Sequence, residues 1–175
     1  MDTYNPNIDN PYPEGEWSEI SDFKYLTPMI LRREAEAVRN RGDKEKDAEY
    51  IVGEEYRVSY NLDGQDKEIK VPRGMLTDLS SAPRIAMLAG IGRVGPHLEA
   101  SIVHDFLYIA WQYLEPKGTA RSEDRRFADK LFRVAMKEAS VVSFRREIIY
   151  RAVRWFGGSF YESEYPNAFV DLDAA

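Results

Sequence analysis

The sequence contains no cysteine, which removes one class of stabilising and metal-binding chemistry. Disulfide bonds and thiolate metal sites are therefore excluded, and histidine, aspartate, glutamate and backbone oxygens are the remaining metal ligands. A metal site built from these groups would be rich in hard oxygen ligands.

Long apolar runs and an excess of positive charge are also missing. No stretch approaches the ~20 apolar residues that are needed to cross a bilayer. The first twenty residues are acidic and proline-rich, without the basic and apolar segments of a signal peptide. The formal net charge of -6 argues against a general affinity for nucleic acid or an anionic membrane, although it leaves room for local basic patches. We expect a protein that stays, at least initially, in the cytoplasm where it is made, with no transmembrane segment and no nucleic acid partner.

The sequence does contain enough apolar material for one domain, because 43% of its 175 residues are hydrophobic and 13% are aromatic. The expected organisation is an extended proline-rich arm, one globular domain and an acidic tail, over residues 1–20, 21–160 and 161–175. The arm includes Tyr4, Tyr12 and Trp17, and aromatic residues are unusual in a purely disordered tail. They would anchor the arm on its own domain or on a neighbouring subunit, and a loosely held terminus is the alternative.

The predicted elements give an α+β fold, in which antiparallel helices form the core beside a small antiparallel sheet. A short edge strand is expected over 22–29, and a charged helix over 30–48. Two strands, over 50–60 and 68–72, flank Asp63-Gly64, a dipeptide suited to a tight hairpin turn. Three further helices are predicted over 96–114, 122–139 and 143–156. The last of them has a basic exposed face, formed by Arg145, Arg146, Arg151 and Arg154, and it ends at Gly157-Gly158.

The helix over 96–114 contains the main candidate site residues. At ~100° per residue its apolar side chains cover most of the circumference, which is typical of a buried helix. One narrow polar stripe interrupts them, formed by Ser101, His104, Asp105, Tyr108 and Gln112. Because burying an imidazole beside a carboxylate is costly without partners, this stripe must face polar groups, a metal ion or a cleft. A polar network that only fixes helix packing is the competing interpretation.

The helix over 122–139 supplies two acids that could meet His104. A connection of about seven residues is short enough to fold this helix back onto the central one. Asp124 lies near the middle of its apolar stripe, and Asp129 lies at the margin of that stripe. Spacing alone does not choose between them.

Two loops before the central helix contain further candidate residues. The segment VPRGMLTDLSSAPR is a polar loop, and its candidate site residues are Thr77, Asp78, Ser81 and Arg84. A turn that caps itself on entering a helix explains the same residues. The following segment contains Gly90 and Gly92, where the backbone can approach a ligand closely or serve as a hinge.

Four segments in order resemble a family of small phage and prophage proteins that is classed as a domain of unknown function. They are VPRGMLTDLSSAPR, HDFLY, RRFADKLFRVAM and IYRAVRWFGG, and the resemblance runs over roughly residues 50–158. The HDxxY element, followed by a helix that bears an Asp, is also similar to the core of secreted phospholipases of the A2 type.

The phospholipase resemblance implies a set of roles. His104 would be the general base toward water, with Asp129 as its partner and Tyr108 as an orienting hydroxyl. Asp105 would bind calcium, with Gly90 and Gly92 in the calcium loop. The cysteines that cross-link those enzymes are absent here.

Two main functions are expected from this sequence. The first is a calcium-assisted hydrolase carried by a phage, which acts on a lipid or ester of the host envelope. The second is a virion or assembly component that keeps the same scaffold without catalysis and binds neighbouring proteins through the N-terminal arm. A third, weaker hypothesis is a small effector that binds a host protein or a nucleotide through the loop bearing Arg84.

Overall fold

A computed structural model describes residues 4–33, 50–77 and 95–173 of the chain. The strands are β1 (Ile20–Tyr25), β2 (Leu31–Arg32), β3 (Tyr50–Val52), β4 (Tyr56–Leu62), β5 (Gln65–Val71) and β6 (Leu76–Thr77). The helices are α1 (Leu98–Ile109), which continues as a 3-10 turn over Ala110–Tyr113, then α2 (Ser122–Glu138), α3 (Ser143–Phe156) and α4 (Gly158–Glu162). The described part of the chain therefore has an α+β fold, as predicted.

The described strands form two small antiparallel sheets, with the orders β1-β4-β5 and β2-β3-β6. The β4-β5 hairpin is regular from Tyr56↔Val71 to Leu62↔Gln65 and turns at Asp63-Gly64. Both turn residues have positive φ, of 50° and 85°, which explains why this dipeptide is found there. The hairpin prediction is confirmed.

The sheet and the helices share one apolar core. Every second residue of β4, from Tyr56 to Leu62, is buried, whereas the residues between them are half-buried. These side chains belong to the same cluster as the buried faces of α1, α2 and α3. The core therefore lies between the β1-β4-β5 sheet and the helices, and α1 is buried along most of its length.

The helix predictions differ in their outcome. The helices over 122–139 and 143–156 are confirmed, with ends at Glu138 and Phe156. The helix over 30–48 is wrong at its start, because Leu31 and Arg32 form a strand that pairs with β3. Its remainder, from residue 34 onward, lies outside the described residues. Local helix propensity did not reveal this pairing, since the partner strand lies some twenty residues further along the chain.

Both ends of the chain contact the domain. Residues 4–19 form no helix or strand, yet Tyr12 is 7% exposed and its hydroxyl donates to the carbonyl of Leu107 at 2.5 Å. At the other end Ala168 and Phe169 are buried, and Phe169 pairs with Met75 as an isolated bridge. Within the described ranges, no helix has the length and apolar character needed to cross a membrane.

Candidate functional site

The polar stripe of α1 divides among several partners. Ser101 donates to the carbonyl of His97, four residues earlier in the chain, at 2.9 Å. Gln112 holds the C-terminal segment, because its amide donates to the carbonyl of Ser163 and its oxygen accepts from the amide of Tyr165. These two ends of the stripe have structural roles, so the candidate site consists of the residues between them.

His104 contacts a carboxylate from α2. Its Nε2 lies 2.9 Å from Oδ1 of Asp129, and the two side chains are 2% and 0% exposed. An ionised carboxylate only accepts hydrogen bonds, so the proton of the neutral imidazole lies on Nε2 and the lone pair on Nδ1. Nδ1 has no hydrogen-bond partner among the described residues. This is the arrangement that a general base requires.

Asp129 is held by two further donors. The hydroxyl of Tyr108 donates to Oδ1 at 2.7 Å, and Nη1 of Arg154 donates to Oδ2 at 2.8 Å. A second guanidinium lies nearby, with Nε of Arg125 3.8 Å from Oδ2. Arg125 also donates to the backbone carbonyl of Arg154 at 2.5 Å, which joins α2 to α3. Asp129 is thus the point at which the three long helices of the described residues meet.

Charges and hydrogen bonds keep Asp129 ionised despite its burial. Burial by itself raises the pKa of a carboxyl group, but the hydrogen bonds from His104, Arg154 and Tyr108 outweigh it and lower the pKa of Asp129. Burial and the neighbouring charge of Asp129 raise the pKa of Tyr108. The site therefore holds a neutral phenol hydrogen-bonded to a carboxylate at neutral pH.

Aromatic rings enclose the imidazole. The ring of Phe132 stacks on His104 with a centroid distance of 4.6 Å, and the ring of Tyr108 lies 4.1 Å away. Both rings limit rotation of the imidazole, in addition to the bond to Asp129. The orientation of His104 is fixed from two sides.

Asp105, beside His104 on α1, points to a different element. Its Oδ2 accepts a hydrogen bond from Oγ1 of Thr77, at the end of β6, at 3.2 Å. Thr77 is the one candidate site residue of the predicted polar loop that the structure describes, since Asp78, Ser81 and Arg84 lie outside the described residues, as do Gly90 and Gly92. Within those same ranges no three His, Asp or Glu side chains cluster in a way that could hold a metal ion.

The second acid of α2 does not contact His104. Asp124 is 5% exposed, and its nearest cation is Arg121, at 3.9 Å. Burial raises the pKa of Asp124. The pKa values of these two buried aspartates of α2 thus shift in opposite directions, and Asp129 is the partner of the imidazole.

Sequence reasoning misses the role of Arg154. Its position in α3 predicts part of a solvated basic face, whereas it is about one third exposed and binds the buried Asp129. Gly157 is predicted only as a helix stop, yet a Cβ there would lie 2.5 Å from the hydroxyl of Tyr108. The signal that could have found both residues is the segment IYRAVRWFGG, which includes them and belongs to the four segments of the resemblance.

A protein-family model with the description "Protein of unknown function (DUF1353)" matches residues 52–153, which is more than half of the chain. The chain belongs to the DUF1353 family. The DUF1353 match includes His104, Asp105, Tyr108 and Asp129 and ends one residue before Arg154. The expected membership in a domain of unknown function is confirmed. Searches of the curated proteins and of the solved structures found no match.

Proposed function

We propose that this protein is a hydrolase in which His104 activates water for attack on an ester, with lipid or ester material of a host envelope as the substrate. One observation carries the proposal: Nε2 of His104 is bonded to the buried, ionised Asp129, while Nδ1 has no partner among the described residues. A buried histidine that is held by a carboxylate on one nitrogen, with no hydrogen-bond partner on the other, is an arrangement that a general base can use.

The proposed reaction begins with proton transfer from water to Nδ1 as the water oxygen attacks the ester carbonyl. The resulting imidazolium is stabilised across Nε2 by Asp129, which keeps its negative charge throughout. In the second step Nδ1 returns the proton to the departing alkoxide, and the carboxylic acid product forms. Tyr108 and Arg154 act as positioning residues, because they hold the carboxylate rather than the substrate.

The buried ring places one requirement on this mechanism. His104 is 2% exposed, so water and substrate must reach Nδ1 through a movement of the residues around it. The test of function therefore includes a direct measurement of access to the ring.

Calcium stays a separate proposal. Of the ligands implied by the phospholipase resemblance, only Asp105 lies in the described ranges, and one carboxylate does not complete an oxygen cage. The steps above accordingly use only the side chains of the chain itself. The role of Asp105 is tested by comparing activity, and thermal stability, with added calcium and with a chelator in wild type and in Asp105→Asn.

The decisive experiment measures hydrolysis of a panel of carboxylic and phospholipid esters by wild type, His104→Gln and His97→Gln. His97 is the other histidine of the chain and is also buried, at 5% exposure, so it is a matched control. We expect activity that is lost in His104→Gln and retained in His97→Gln. Equal activity in wild type and His104→Gln would refute the proposal, and so would a folded wild type that is inactive on every ester with and without calcium.

Access to the ring is measured by NMR on the same proteins. With only two histidines in the chain, His97→Gln assigns both imidazole signals. Two results would also count against catalysis. One is slow exchange of the His104 imidazole N–H with solvent, and the other is a His104 ring that a histidine-directed acylating reagent does not modify.

The second candidate is a virion or assembly component, and one observation favours it. The exposed face of α3 carries large apolar side chains, including Phe144 and Trp155 at 75% and 72% exposure. The N-terminal arm supports this function less well, because Tyr12 and Trp17 pack against the protein's own domain. Loss of assembly in a variant that alters only α3, with His104→Gln harmless, would favour this function.

A further inference from the structure

One stripe of α3 faces solvent with apolar side chains. Phe144, Ile148, Arg151 and Trp155 follow one another at intervals of four, three and four residues, so they lie on one side of the helix. Phe144 and Trp155 are 75% and 72% exposed, whereas Ile148 is half-buried between them. Exposed apolar side chains that line up along one side of a helix mark an interaction surface more often than scattered apolar residues do.

Exposed apolar side chains also lie at both ends of the helix. Val142, just before α3, is 66% exposed, and Phe156, its last residue, is 60% exposed, although Phe156 lies about 100° around the helix from Trp155. At 1.5 Å per residue the helix is about 20 Å long. We call the solvent-facing residues of this helix the α3 face, namely the apolar Val142, Phe144, Ile148, Trp155 and Phe156 together with Arg145 and Arg151.

The α3 face has a local positive charge on a chain with net charge -6. Arg145 and Arg151 are both exposed. The acid of the helix, Glu147, is already shared, at 2.7 Å from Arg133 and 3.3 Å from Arg151. The face therefore complements an anionic partner.

The same charges argue against a second copy of this face as the partner. In a twofold pairing of two α3 helices, Phe144 of one copy would lie opposite Trp155 of the other. Arg151, near the centre of the stripe, would then approach its own symmetry mate. Like charges brought together in this way weaken association.

We propose that the α3 face docks on an anionic phospholipid bilayer, with α3 lying in the plane of the interface. Aromatic side chains beside arginines on an amphipathic helix are typical of helices that lie in the headgroup region. A single convex helix face fits a flat surface without a matching groove. This inference does not depend on hydrolysis, although Arg154 on the same helix holds Asp129 and so places the candidate site next to the docked surface.

Tryptophan fluorescence gives a direct test. Of the three tryptophans, Trp111 is 6% exposed and Trp17 is half-buried, so Trp155 is the one that a membrane would bury. With vesicles of mixed phosphatidylglycerol and phosphatidylcholine at low salt, we expect a blue shift and protection from an aqueous quencher. Pure phosphatidylcholine vesicles should give a much smaller effect, and binding should weaken as salt rises. The absence of any shift or protection with the anionic vesicles would overturn the proposal.

Vesicle flotation with variants identifies the surface. Phe144→Ser/Trp155→Ser should reduce binding at least tenfold, and Arg145→Gln/Arg151→Gln should reduce it about 25-fold, from roughly fivefold per arginine. Leu26→Ser/Ile30→Ser is the matched control, because these apolar residues are 47% and 42% exposed but lie outside α3. Equal losses in the control would overturn the proposal.

Two further measurements distinguish membrane docking from the hydrolase proposal and from association between copies of the chain. His104→Gln should bind vesicles as wild type does, so failure of the hydrolase proposal leaves the docking result intact. Analytical ultracentrifugation without lipid should show no association that Phe144→Ser/Trp155→Ser removes. If such association is found and vesicles do not compete with it, the α3 face is an interface between copies, and the lipid proposal is wrong.

Discussion

Replacing Asp129 by Asn tests the centre of the site. The substitution keeps the size and shape of the side chain but removes its negative charge. The two carboxylate oxygens accept hydrogen bonds from His104, Tyr108 and Arg154. An amide has one accepting oxygen and one donating nitrogen. On one side of the substituted side chain the amide N–H groups would therefore face side chains that also donate, and no hydrogen bond forms there. If the oxygen keeps its place toward His104, the amide nitrogen faces Arg154 and Arg125.

The expected cost follows from the burial of the group. Breaking a buried ion pair typically costs about 3–5 kcal/mol, because it leaves the remaining charge without compensation. Arg154 is 32% exposed, so water recovers part of its solvation. We expect Asp129→Asn to lower the free energy of unfolding by about 2–4 kcal/mol. For a domain of this size that corresponds to a Tm decrease of about 5–15 °C.

The pH dependence gives the sharper assay. The folded protein holds the pKa of Asp129 below its ordinary value, so the stabilisation is fully present above the ordinary value of about 3.9 and is lost as the pH falls through the folded value. Urea unfolding of wild type and Asp129→Asn should therefore differ most above about pH 5 and converge only as the pH falls through the lowered pKa of Asp129. A constant difference at all pH values would show that geometry, rather than charge, produces the effect.

Asp124→Asn is the matched control, since it is the same substitution five residues earlier on α2. Burial raises the pKa of Asp124, so its ionisation opposes folding at neutral pH and this cost disappears as the pH falls through the raised value. Near the N-terminus of α2 the lost negative charge costs about 0.3–1 kcal/mol, which offsets part of the gain. We expect Asp124→Asn to be within about 1 kcal/mol of wild type at pH 7. An equal loss of unfolding free energy in both variants would refute the assignment of Asp129 as the carboxylate that binds His104, Tyr108 and Arg154.

Three further substitutions test neighbouring contacts. Tyr108→Phe removes the 2.7 Å donor to Asp129 and should cost about 1.5–3 kcal/mol in urea unfolding, with acid unfolding beginning at a higher pH. Gly157→Ala should cost about 1–3 kcal/mol by the same assay, because its Cβ would lie 2.5 Å from both the Tyr108 hydroxyl and a backbone carbonyl. Gly158→Ala is the control and should cost clearly less, because its Cβ would lie 3.0 Å from the end of an arginine side chain. Tyr12→Phe leaves the carbonyl of Leu107 and the amide of Trp111 without the tyrosine hydroxyl that binds both. Thermal unfolding should therefore show a loss of about 1–3 kcal/mol. An unchanged Tm would contradict the anchoring of the arm.

The sequence alone is informative wherever the signal is local. The turn at Asp63-Gly64 follows from the conformations that the two residues permit. The extents of α2 and α3 follow from apolar periodicity. The placement of His104, Asp105 and Tyr108 on one side of α1 follows from the same helical repeat, so the sequence by itself determines where the candidate site lies.

Only the tertiary structure decided how those local pieces meet. Leu31 and Arg32 form a strand because β3 is available to pair with them, which no property of the segment itself reveals. Helical spacing does not choose between Asp124, near the middle of the apolar stripe of α2, and Asp129, at its margin; the rotation and height of α2 against α1 bring Asp129 to the imidazole. Arg154 reaches Asp129 from a third helix, 25 residues further along the chain. A periodic pattern determines which face of a helix is buried, whereas the packing of one helix on another determines which side chains touch.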